Sequence, residues 1–74
     1  SVLPFHLLFD NSDHVLGILT VNHNMGQFAN AVTLYDENGQ ITLPDFVNIV
    51  TVNQLTIDIS SFGVIAGTWE VVVG

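Results

Sequence analysis

Leu55, Ile57 and Ile59 alternate with Thr56, Asp58 and Ser60. A period of two sends one side of a strand to a core and the other to water or a polar contact. Runs rich in Val, Ile, Thr, Leu and aromatics recur along the chain. They are separated by turn signals at Asp10-Asn11-Ser12-Asp13, Asn24-Met25-Gly26, Glu37-Asn38-Gly39, Pro44-Asp45, Val52-Asn53-Gln54 and Phe62 to Gly67. This punctuation predicts strands over Phe5–Phe9, Val15–Asn22, Ala31–Asp36, Val47–Val52, Gln54–Ile59 and Thr68–Val73, with a short one over Gln40–Leu43. No helix of useful length is expected. The predicted fold class is all-β, a small antiparallel β-sandwich of about six to seven strands.

Two hairpins set the antiparallel frame. Val32 and Leu34 share one face of the third run, Thr33 and Tyr35 the other. The run then meets Asp36-Glu37-Asn38-Gly39, where Gly accepts a positive φ and turns the chain towards Gln40 and Ile41. Val47, Ile49 and Thr51 are expected to oppose the fifth run across a tight turn at Asn53. The chain ends read differently. Phe5, Leu7, Leu8 and Phe9 are apolar at adjacent positions, so a strand there puts apolar groups on both faces. In the last run Trp69, Val71 and Val73 share a face, with Val72 on the other beside Thr68 and Glu70. Both termini are therefore expected to act as contact strands. The domain division is residues 1–9 as an N-terminal apolar contact strand and residues 10–74 as the sandwich.

Composition sharpens this. Seventy-four residues allow one domain with a thin core, and no cysteine is present to staple it or to supply a thiolate zinc site. Yet 49% of positions are hydrophobic and the mean hydropathy is positive, which points to apolar surface facing a partner. Seven acidic residues stand beside no Lys or Arg at all, a formal charge of −7. Without basic side chains there is nothing to displace phosphate counterions or to meet anionic head groups, so nucleic acid and acidic lipid are excluded as partners. No stretch reaches the 18 apolar residues of a spanning helix, so membrane insertion is not expected, and the apolar Ser1 to Phe9 segment lacks the cationic flank of a signal peptide. An acidic surface without trypsin-type cleavage sites suits an extracellular filament or a virion.

Little else carries chemistry. His6, His14 and His23 match no zinc spacing, and Ser60 and Ser61 have neither a Gly-x-Ser-x-Gly setting nor an assigned base, so neither a metal centre nor an enzyme is expected, and no cofactor. Asp10, Asn11, Ser12 and Asp13 offer oxygen ligands for weakly held calcium but lack the EF-hand Gly and closing Glu; a solvated turn is the favoured reading. Tyr35 and Trp69 are the candidate ligand contacts, as sugar-stacking aromatics, although a single Trp on an alternating strand more often lies in a core.

From about Phe9 to Val73 the order of pieces resembles a short β-sandwich module near the ends of phage tail-fibre and other virion appendage proteins. The matching segments are His23-Asn24-Met25-Gly26, Val32 to Gly39 with its Asp-x-x-Gly turn, Ile41 with Pro44, Asn53 before Leu55-Thr56-Ile57, and Gly67-Thr68-Trp69. Gln27, Phe28 and Ala29 stand where that family usually has a basic residue and a Pro. The resemblance implies a structural, oligomeric module and transfers no catalytic residues. The expected function is a structural subunit that self-assembles into a filament, tube or fibre. Its interface is expected at Val2, Leu3, Phe5, Leu7, Leu8, Phe9 and Val72. A surface-adhesion or carbohydrate-binding module is the alternative.

Overall fold

The computed structural model describes residues 4–74. Among these residues seven strands form, β1 Phe5–Phe9, β2 Ile18–Asn22, β3 Val32–Tyr35, β4 Ile41–Thr42, β5 Phe46–Thr51, β6 Gln54–Asp58 and β7 Trp69–Val73. They make two antiparallel sheets, one ordered β1-β7-β3-β4 and the other β2-β6-β5. This is the expected small antiparallel sandwich. Both anticipated hairpins are present: Leu34 pairs with Thr42 across the Asp36–Gly39 turn, and Val47 and Ile49 pair with Ile57 and Leu55.

The core lies between the sheets because alternation holds on the inner strands. Leu19 and Val21 of β2, Leu55 and Ile57 of β6 and Val71 and Val73 of β7 are buried, together with Ile59, Leu34, Phe9, Ile65 and Trp69. Side chains of this size each contribute roughly 1.5–3 kcal/mol when fully buried. One polar side chain joins them: His23, which continues the inward face of β2 and is 1% exposed.

Three features differ from the periodicity. The run expected as one strand over Val15–Asn22 is broken at Leu16-Gly17, both at positive φ (52° and 84°). Val15 and Ile18 exchange two backbone hydrogen bonds of 2.9 Å across them, the mark of a two-residue type I′ turn. Gly17 was its signal, since an isolated Gly in a strand pattern denotes a bend or a close backbone approach. Both hold here: a Cβ on Gly17 would sit 2.4 Å from the Ser60 Cα. Second, β1 does alternate. Phe5, Leu7 and Phe9 face the chain's own core and only His6 and Leu8 point out. Third, β7 is a central strand, flanked by β1 and β3, so the C-terminal strand has no free edge to offer.

Candidate association surface

Among the described residues the most exposed apolar segment is β5. Every residue of this strand is solvent-exposed, and Leu43, Phe46, Val47, Ile49, Val50 and Val52 are all exposed large hydrophobics. The cause is topological. Val47 and Ile49 point inwards, opposite Ile57 and Leu55, yet they are 38% and 45% exposed where their partners are 0%. Sheet one ends on this side in β4, which is two residues long, and a three-residue link carries the chain across to β5. The inter-sheet core therefore runs out at the β5 edge without a lid. Phe46 and Val50 add apolar groups on the outer face. Among the described residues β5 pairs only with β6, leaving a ladder edge about 20 Å long at about 3.3 Å per residue.

Protected edges carry Lys, Pro or inward charges, or are very short. β4 is short and followed by Pro44. β5 has only a bulge, at Val50, where the register shifts between Ile49 and Thr51. Residues 46–57 contain no ionisable side chain. The clue in the sequence was Phe46, Val50 and Val52, which break the alternation of Val47, Ile49 and Thr51.

The residues expected at the interface are distributed as follows. Val2 and Leu3 lie outside the described residues. Phe9 is 3% exposed within the core, and Phe5 and Leu7 pack partly buried against it, so these three are corrected to core positions because β1 is zipped to β7 of the same chain. Leu8 faces out and is 66% exposed. Val72 is half-buried on the same outer face, where His6 Nδ1 lies 3.1 Å from Glu70 Oε2. The free edge of β1 remains open, so of the two terminal strands only the first can extend its sheet.

Trp69 is also corrected as a ligand contact. Its indole lies in the core, tilted against Phe9 and Phe62 at ring-centroid distances of 6.3 and 5.6 Å, and Nε1 donates to the Ala66 carbonyl at 3.0 Å. Tyr35 is half-buried on the outer face of the first sheet. The structure therefore does not bring the two aromatics together as one platform.

Charge is segregated along the sandwich. Asp10 follows Phe9 and Asp36 follows Tyr35, at the Phe9–Trp69 end of the first sheet. Asp45 and Asp58 lie at the Ile18–Asp58–Phe46 end of the second. These ends are the same end, since Phe62 packs on Trp69 and the Ile65 N–H donates to Asn11 Oδ1. Asp13 Oδ2 accepts from the Asp10 N–H, Glu37 adjoins Gly67, and Glu70 is one row in. The opposite end, with Val73, Val32 and the 23–31 loop, has no side-chain carboxylate.

Serines hold these carboxylates as Asx-type turns. Ser12 hydroxyl and backbone N–H both donate to Asp10 Oδ1, at 2.6 and 2.9 Å. They keep the Asp10 carboxyl below its ordinary range, with the hydroxyl the larger cause. Ser60 does the same for Asp58 Oδ1, again at 2.6 and 2.9 Å, and lowers it in the same order. Ser61 donates its hydroxyl and N–H to the two oxygens of Asp45. Among the described residues no three acidic or histidine side chains converge as a metal site.

The histidines are separate. His14 donates from Nε2 to Asn11 Oδ1 at 2.9 Å and accepts the Gly17 N–H at Nδ1, which braces the Leu16-Gly17 turn. His23 accepts the Met25 N–H at Nδ1, 3.2 Å, and its buried Nε2 has no hydrogen-bond partner among the described residues. Comparisons with protein-family models, curated proteins and solved structures find no match.

Proposed function

We propose that this chain is a structural subunit that associates with copies of itself, building an extracellular or virion-type filament, tube or fibre. The observation that carries the reading is β5: a six-residue edge strand, exposed along its whole length, apolar on both faces and itself without a charged residue, with Asp45 and Asp58 only at its Phe46 end. Such an edge is a template for another strand. A filament needs a second contact as well, and the free edge of β1 with exposed Leu8 supplies one. Net negative charge with no Lys or Arg to offset it limits association at neutral pH and keeps free subunits apart. The adhesion or carbohydrate-binding reading has less to stand on, since Trp69 spends its face and its N–H inside the core.

Deleting residues 1–9 would test folding more than contact, because it removes Phe9 and a whole strand of the first sheet. The sharper test places a charge on each edge in turn. Ile49→Lys and Leu8→Lys, both at exposed positions, should each retain the β circular dichroism of the parent chain and stop at small oligomers held by the remaining edge, and the double variant should sediment as a monomer. Two folded variants that sediment as the parent does would overturn the proposal.

A further inference from the structure

We infer that two copies of this chain join β5 to β5, antiparallel, about a two-fold axis perpendicular to the second sheet at Asn48, making one continuous six-stranded sheet. This rests on the self-association proposed above and specifies its geometry.

A second copy is the occupant that the charge pattern selects. The chain has seven carboxylates and no Lys or Arg to pair with them, so two copies meet at least cost where neither presents a carboxylate. Residues 46–57 carry no ionisable group, with Asp45 and Asp58 at their limit; the other edge, β2, is equally uncharged, but its inward Leu19 and Val21 are buried whereas Val47 and Ile49 of β5 are not, so β5 is the uncharged edge with apolar surface left to cover. An isologous contact also requires a strand that complements itself. With a perpendicular axis, opposed residues lie on the same face, so the axis must pass through a residue, and three centres fall within the regular part of β5.

A centre at Val47 sets Asp45 against Ile49, leaving a carboxylate facing an apolar group. A centre at Ile49 sets Val47 against Thr51 and Asn48 against Val50, mismatched on both faces. A centre at Asn48 sets Phe46 against Val50 on the outer face, Val47 against Ile49 on the inner face, and the Asn48 amide against its own copy. Matched cross-strand pairs of this kind are the stabilising unit of a sheet. The register shift beyond Ile49 leaves rows 47 to 49 regular, and these form the centre of the new ladder. The pairing also extends the floor under the uncovered inner side chains: Val47 and Ile49, 38% and 45% exposed in one copy, gain apolar neighbours from the other.

The chain has no cysteine, so one engineered thiol reports one position. Directly opposed residues in an antiparallel ladder have Cα atoms about 4.5–5.5 Å apart, within the roughly 4.4–6.8 Å that a disulfide spans. Asn48→Cys, treated with diamide, should give a covalent dimer at least about tenfold faster than Thr20→Cys, an exposed position on the opposite edge strand β2, because pairing raises the local thiol concentration. On the unaltered chain, amide exchange within 46–51 should slow as concentration rises while that of 18–22 does not. If Asn48→Cys links no faster than Thr20→Cys and the exchange pattern is absent, yet the parent chain sediments as an oligomer, the β5 pairing is wrong and self-association stands through another edge. If the parent chain also sediments as a monomer at all concentrations, both fall.

Discussion

Replacing Gly17 by alanine isolates the contact that joins the first loop to the acidic end of the sandwich. Gly17 is buried, has φ +84°, and accepts the Ile59 N–H at 2.7 Å. A Cβ built there lies 2.4 Å from Ser60 Cα, 2.5 Å from Ser60 Cβ and 2.8 Å from Ser60 N. Two of those atoms are backbone, so no rotamer change relieves the clash. Left-handed backbone costs a non-glycine residue roughly 1–2 kcal/mol, and overpacking adds about 1–3 kcal/mol. The sum, about 2–5 kcal/mol, is a large part of the roughly 4–11 kcal/mol that a domain of this length ordinarily has. Gly39→Ala is the control: φ is +77° but nothing lies within 4 Å of its Cβ, so only the backbone cost applies. Thermal unfolding by circular dichroism should show Gly39→Ala about 4–8 °C below the parent per kcal/mol lost, and Gly17→Ala clearly lower still or unfolded. Equal losses in the two variants would refute the close approach of the Leu16-Gly17 turn to Ser60.

Leu16 is 92% exposed at φ 52°, a conformation that asparagine tolerates better, so Leu16→Asn should raise stability by about 1 kcal/mol; a lower melting temperature would show that the leucine is not strained. The Asp10 and Asp58 carboxyls are held below their ordinary range by Ser12 and Ser60, so their contribution is present above the ordinary aspartate value, about pH 3.9, and is lost as pH falls through the lower folded values. Acid titration of Ser12→Ala with Ser60→Ala should therefore show a shallower loss of stability below about pH 4 than the parent, and identical curves would remove those serines from the explanation. Because the seven carboxylates crowd one end, moving from about 0.01 M to 0.15 M salt shortens the screening length from about 30 to 8 Å and should strengthen association, as should added Ca²⁺. Weaker sedimentation at higher salt would contradict a charge-limited assembly.

The sandwich was legible because β6 and β7 alternate cleanly and because the Asp36–Gly39 turn names its own geometry. Its edges were not. The apolar residues of Phe5 to Phe9 read as two-faced, but three of them turn to the core, and a strand pattern does not say which neighbour covers it. The order β1-β7-β3-β4 puts the last strand in the middle of a sheet, a long-range pairing that periodicity does not encode. Val47, Ile49 and Thr51 of β5 read as one face set against the fifth run. The exposure of β5 follows from the brevity of β4, which only the assembled layers disclose. Trp69 alternates with Val71 and Val73 and shares their buried face, and the buried His23 extends the inward set of Leu19 and Val21 by one position.

Self-association is tested most directly by electron microscopy of the purified chain at neutral pH, with sedimentation velocity on the same sample over a range of concentrations. Ordered filaments or tubes, growing from smaller species as concentration rises, are the expected result. A discrete monomer of 8.0 kDa at every concentration, with empty grids, would contradict a self-assembling structural subunit.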